Sequence, residues 1–301
     1  MKLIVNDKDL SRIYKSVQWS GDRKQRTRSL SVSYLYKKGS GIPEVQVRNG
    51  DTIALYDGGG NQKFVGVVIR AESSLSGVTV QVQAKDVLWY LGRNKVGKVY
   101  TGSADGILKS ICGDFGITVG TFPTVPGEKT VISTGEKTIH QVISEAYGDG
   151  YYIYADGPAV CVGTEGSEVV AVLSGEGNLL DISYTSSIEN MVNRVLVLDE
   201  QGNPAGNAEN VEDLACGLLQ DVYKKEKDKD PLQEAKARLK RSENTCSVEA
   251  LGNWSCVSGK AVYIQDTSNG MVGKYIITDD THTFADGIHK MKLGVEAVVM
   301  A

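Results

Sequence analysis

No stretch of the chain approaches the ~18 consecutive apolar residues of a membrane helix, and the opening "MKLIVNDKDLSRIY" lacks the apolar core of a secretory signal. A soluble protein made in the cytoplasm is expected. An excess of basic charge is missing too: 33 Lys and Arg stand against 37 Asp and Glu, for a net charge of -4. That balance argues against a dedicated nucleic-acid binder, whose affinity rests on neutralising phosphates. The five cysteines, Cys112, Cys161, Cys216, Cys246 and Cys256, are odd in number and show no CxxC spacing. They are expected to be buried thiols in a reducing compartment.

Catalytic and ligand-binding signatures are equally sparse. Only three histidines occur, without an HxH or HExxH pattern. His282 and His289 lie near Asp279, Asp280 and Asp286 in "DDTHTFADGIH", but nothing completes a metal-ligand set, so they are expected to be polar residues at the ends of neighbouring strands. Glu136, Glu145 and Asp149 are the carboxylates a glycan hydrolase would need, yet no flanking motif fixes an acid, a nucleophile or a sugar platform. The glycine-rich "DGGGN" and "GDGYY" follow neither GxGxxG nor P-loop spacing and are turns. No catalysis, no metal and no cofactor is expected.

What the sequence does contain is glycine and period-two alternation. Thirty-four glycines and fourteen tyrosines indicate many strands and turns. A length of 301 residues is enough for two or three domains. Residues 1–95 are nearly all strand, as in "DTIALYD", "KFVGVVIRAE" and "GVTVQVQA", separated by tight turns. Residues 96–179 form a small α+β unit. One helix follows Ser103, a second spans about 137–147, and two short strands lie at "GYYIYAD" and "AVCVGTE". Residues 180–301 return to strands. They contain a charged tract in which Asp230 caps and Pro231 opens an amphipathic helix over about 230–241, with Leu232, Ala235 and Leu239 on one face.

The first and last segments share an ordered pattern. Gly50, Ile53, Leu55 and Asp57, then a turn and "FVG" with Val68 after it, match Gly259, Val262, Ile264 and Asp266, then a turn and "MVG" with Tyr275 after it. On this matching the two copies differ in length only at their turns, and the helix near 230–241 belongs to the second copy alone.

The stretch "WSGDRKQRTRSLSVSY", residues 19–34, carries Arg23, Lys24, Arg26 and Arg28 ahead of alternating Leu30, Val32 and Tyr34. Strands on either side and "GD" between them make this a hairpin whose basic tip is expected to be solvated.

"VQWSGDRKQRTRSLSVSYLY", "SIENMVNRVLVLDEQG" and "NWSCVSGKAVYIQDTSNGMVGKYIITDDTHTFADGIHKMKLGVEAV" together resemble the XkdQ-like baseplate hub proteins of contractile phage tails, defective prophages and phage-tail-like bacteriocins. The resemblance implies a β-rich α+β multidomain fold, two tube-protein-like antiparallel β domains flanking a small α+β domain. It implies a homotrimer at the end of the tail tube that adapts a six-fold tube to a three-fold spike, partnered by the tube protein, the central spike protein and other baseplate proteins. In that setting Arg23, Lys24, Arg26 and Arg28 would meet acidic groups of a neighbouring subunit, with no specific nucleic-acid binding and no membrane contact. The rival readings are a tail-associated peptidoglycan hydrolase built on the middle segment and a wall-binding module.

Overall fold

Alternation is kept where the sequence predicts it. The computed structural model describes residues 1–23, 27–36, 41, 44–73, 78–227, 229–267 and 270–297. Strand Tyr14–Asp22 buries Val17 and Trp19, and strand Ser29–Leu35 buries Leu30, Val32 and Tyr34, while the intervening serines stay half-buried. The two pair antiparallel with Trp19 opposite Leu30 and Val17 opposite Val32, so both apolar rows fall on one face. Each fully buried side chain of this size contributes ~1.5–3 kcal/mol against its exposed state.

Two compact units make up the chain, residues 1–182 with 247–301, and residues 183–246. The larger holds a long, mostly antiparallel sheet. Its order runs from Ile288–Ala297 through Met271–Ala285, Tyr14–Asp22, Ser29–Leu35, Thr79–Lys85, Gln62–Ser73 and Thr52–Tyr56 to Lys2–Val5. The N-terminal and C-terminal segments therefore meet inside one sheet, where Tyr14–Asp22 lies antiparallel to Met271–Ala285 with His282 opposite Trp19. One apolar cluster, including Leu3, Val17, Trp19, Leu30, Leu55 and Phe284, packs against this region.

A second cluster in the same unit gathers the middle of the chain. Helix Ala104–Asp114 starts at Ser103, whose hydroxyl accepts from Gly106 N at 3.2 Å. Helix Ile139–Tyr147 starts with a capping box: Thr138 and Gln141 each accept from the other's backbone N–H, at 3.3 and 2.8 Å. Ile107, Leu108, Ile111, Ile139, Val142 and Ile143 are buried together, as their spacing predicts. A short helix, Leu88–Arg93, occupies the apolar stretch that ends the first strand-rich segment.

The expected repeat is present in the backbone, but two residues out from the sequence matching. Gly50 (φ +91°) donates to Val68 O at 2.8 Å and Val68 donates to Asp51 O at 2.8 Å; Gly259 (φ +92°) donates to Ile277 O at 2.9 Å and Ile277 donates to Lys260 O at 2.8 Å. Val68 thus corresponds to Ile277, not to Tyr275. The hairpins that follow share one register, Ile53 opposite Gly66 and Val262 opposite Tyr275. In each, the pairing to the next strand shifts just past the matched residue, at Val68/Arg70 and Ile277/Asp279. The similarity of "FVG" and "MVG" is therefore coincidental, and the two copies need no length difference in this turn.

In the smaller unit, Arg194–Leu198 pairs antiparallel with Pro204–Glu209 and parallel with Gln220–Lys224. Buried Asn193 supports the returning loop, donating to Asp213 O and Gly217 O at 3.1 and 2.6 Å and accepting from Leu219 N at 2.9 Å. Helix Pro231–Arg238 is capped by Asp230, which accepts from Leu232 N at 2.9 Å. It is shorter than the expected 230–241. Its buried residue is Ala235, which packs with Val195, Val197 and Tyr223, whereas Leu232 is 48% exposed.

Candidate functional site

The basic hairpin end is built on one long cross-strand network within the larger unit. Arg28 follows the turn and lies back across the sheet, its guanidinium 4.0 Å from the centre of the Trp19 ring. Gly21 makes this possible, since a Cβ there would stand 2.5 Å from Arg28 Nη1. The two terminal guanidinium nitrogens of Arg28 both donate to the carboxylate of Asp280, Nη1 to Oδ1 at 2.9 Å and Nη2 to Oδ2. Asp280 is fully buried and also accepts from Ser258 N at 2.7 Å. These donors offset the cost of burying the carboxylate away from water.

Behind Asp280 the network continues into two imidazoles. His282 Nε2 lies 2.9 Å from Cys256 O, so that nitrogen carries the proton; Nδ1 then accepts from His289 Nε2 at 3.0 Å. Trp254 stacks on Phe284 at 4.5 Å and Phe284 on His289 at 4.1 Å between ring centres. Burial holds His282 down to about 4 despite the pull of Asp280, and burial followed by the neighbouring His282 holds His289 down to about 4. The pair was expected at strand ends. His282 is the fourth residue from the end of Met271–Ala285 and His289 the second of Ile288–Ala297, but His282 is wholly buried, because Asp280, His282 and Phe284 alternate onto the core face.

Of the four basic residues singled out, Arg28 is a half-buried tie to Asp280, where a solvated tip was expected. Arg23 reaches Glu165 at 3.5 Å and Glu296 at 2.9 Å. Lys24 and Arg26 lie outside the described residues. The other residues considered from the sequence do not converge. Glu136 accepts from Thr134 N and Oγ1 at 2.8 and 2.7 Å, and Glu145 pairs with Lys137 at 2.6 Å. Asp149 is exposed in the turn after the helix. Among the described residues no group of three or more His, Cys, Asp and Glu could hold a metal ion, and no helix is long and apolar enough to cross a membrane. Cys112, Cys161 and Cys256 are buried as expected, but Cys246 is half-buried and Cys216 exposed.

Trp254 and the tie between Arg28 and Asp280 were not anticipated. The available signal is the period-two row Asp280, His282, Phe284; a charged residue at a core-facing strand position calls for a partner.

Solved structures share this fold over the whole chain. The 43 kDa tail protein of prophage MuSo2 from Shewanella oneidensis gives a TM-score of 0.73 at 15% identity, over 98% of this chain and 97% of that one. The tail protein from Neisseria meningitidis MC58 gives 0.67 at 14% identity, over 98% and 95%. An Escherichia coli component of the type VI secretion system, itself structurally similar to the T4 bacteriophage tail proteins gp27 and gp5, gives 0.59 at 11% identity, over 99% and 77%. No curated protein matches by sequence. The resemblance to phage tail and baseplate proteins read from the sequence is borne out by these folds together with the family model, which matches residues 17–296: the chain belongs to the YQBQ-like family.

Proposed function

We propose that the chain is a structural subunit of the baseplate hub in a contractile tail or tail-like particle, three copies of which join a six-fold tube to a three-fold spike. The repeat carries this reading. Two β modules in one chain, each led by a glycine near φ +90° and each shifting register after the matched core residue, give three chains six similar faces. Residues 1–95 would supply the first module, residues 96–179 a small α+β domain, and residues 180–301 the second module, with residues 183–246 as its insertion. The fold likeness to tail proteins supports the same reading. The tube protein, the central spike protein and other baseplate proteins are the proposed partners, and the role is architectural, with no reaction catalysed and no specific nucleic-acid contact.

The hairpin end is proposed as a contact with a neighbouring subunit. Arg28 and Arg23 are engaged by carboxylates of their own chain, so reversing either would break internal ion pairs. Reversal at Lys24 and Arg26 is the cleaner experiment. Light scattering of the chain with its spike should give a three-fold species that Lys24→Glu/Arg26→Glu weakens, most at low ionic strength, where exposed charges are least screened. A monomer of the unaltered chain, alone and with its spike, would overturn the reading.

A further inference from the structure

Among the described residues strand Tyr151–Asp156 pairs on one side only, with Ala159–Thr164. The neighbouring strand reveals which of its peptide groups face outward. Val160 donates to Thr118 O at 2.9 Å and accepts from Gly120 N at 2.8 Å, and Val162 donates to Thr121 O at 2.9 Å. Both therefore turn their peptide groups away from Tyr151–Asp156. Residues opposite one another in an antiparallel ladder either exchange both bonds or turn both outward. Ala155, opposite Val160, and Ile153, opposite Val162, thus direct N–H and C=O out of the free edge. Both residues line a pocket of about 360 Å³, and no backbone partner meets them there among the described residues.

The lining carries more positive than negative charge, Arg23, Arg28, Lys63 and Lys260 against Asp22 and Asp156. Trp19, Arg28, Lys63, Trp254 and Lys260 all contribute. Trp19 Nε1 and Arg28 Nε are buried donors without an acceptor among the described residues, and Trp19 is only 3% exposed. Lys63 and Lys260 are held by Asp57 at 3.3 Å and Glu168 at 3.0 Å, partly exposed pairs of the kind that give way at little cost. A buried donor left unpaired is costly.

We propose that the free edge of Tyr151–Asp156 receives an extended acidic segment of another protein as an added strand. The peptide groups of Ile153 and Ala155 offer two donors and two acceptors at the two-residue spacing of a strand, which an extended peptide matches and a sugar does not. Acidic side chains on alternate residues of that segment would face the Trp19, Arg28 and Lys63 side of the pocket. This inference stands apart from the hub reading and does not require a trimer.

The test is titration of the full chain with the peptide acetyl-Val-Glu-Val-Glu-Val-Thr-amide, followed by tryptophan emission and calorimetry. Saturable binding is expected, at least about tenfold tighter than that of the same peptide with lysine for glutamate. Ala155→Pro removes an outward N–H and none of the hairpin's own bonds, so the strand should persist while affinity falls about tenfold. Lys63→Glu should weaken binding in the same direction, and circular dichroism would show whether each variant is folded. If Ala155→Pro fails to fold, a peptide N-methylated at alternate residues takes its place. Equal binding of acidic and basic peptides overturns the proposal. So does unaltered affinity after the backbone change, the absence of any saturable binding, or a response to muramyl dipeptide or chitotriose instead of the hexapeptide.

Discussion

Asp280 is wholly buried, and Arg28 supplies both ends of its guanidinium to it. Arg28→Met keeps the apolar stem beside Trp19 but strands the charge, so urea unfolding should show a loss of about 3–5 kcal/mol. Adding Asp280→Asn to it should recover much of that loss, since Ser258 N retains its acceptor. The paired imidazoles give a pH dependence. Unfolded, His282 and His289 take up protons as pH falls through 6.5; folded, they resist until about 4, so their contribution to stability is lost between those values. Asp86 opposes this: burial pushes it up to about 7, so the folded state takes up its proton first and gains as pH falls through 7. The decisive quantity is the difference between variants. His289→Gln keeps a donor for His282 Nδ1 without titrating as His289 does, and its denaturation midpoint should drop less than that of the wild type between pH 7 and pH 5. Little of this was legible in sequence, because Arg28 and Asp280 lie 252 residues apart and only the sheet brings them together.

Strands and helices were more readable than their partners. Ser103, Asp230 and Pro231 mark helix starts by local chemistry, and the structure keeps each of them. Asp230→Ala should cost about 1 kcal/mol, read as a lower melting temperature. The repeat was visible as a pattern but misregistered, since "FVG" and "MVG" offered a stronger letter match than Val68 and Ile277, whose equivalence lies in hydrogen bonds. Gly50 and Gly259 test that equivalence. Alanine at either must adopt a left-handed φ, for a cost of roughly 1 kcal/mol. At Gly50 the space is open, whereas at Gly259 the new Cβ would lie 2.4 Å from Tyr152 Cδ2, so Gly259→Ala should destabilise more.

For the molecule as a whole, alternation and turn chemistry sufficed for a β-rich chain with a small helical segment, whereas the order of strands was hidden. Nothing local in Tyr14–Asp22 or Met271–Ala285 announces that they are neighbours; their shared burial of Trp19, His282 and Phe284 decides it. One sheet shared by both ends of the chain ties the two repeated hairpins into a single unit, which is what a subunit presenting two similar faces requires. Cryo-electron microscopy of the assembled particle, reconstructed without imposed symmetry, tests the central claim most directly. Three copies of the chain should ring the axis, with the modules led by Gly50 and Gly259 alternating around it in six similar positions against the tube. Six copies each contributing one module, or a single copy off the axis, would contradict it.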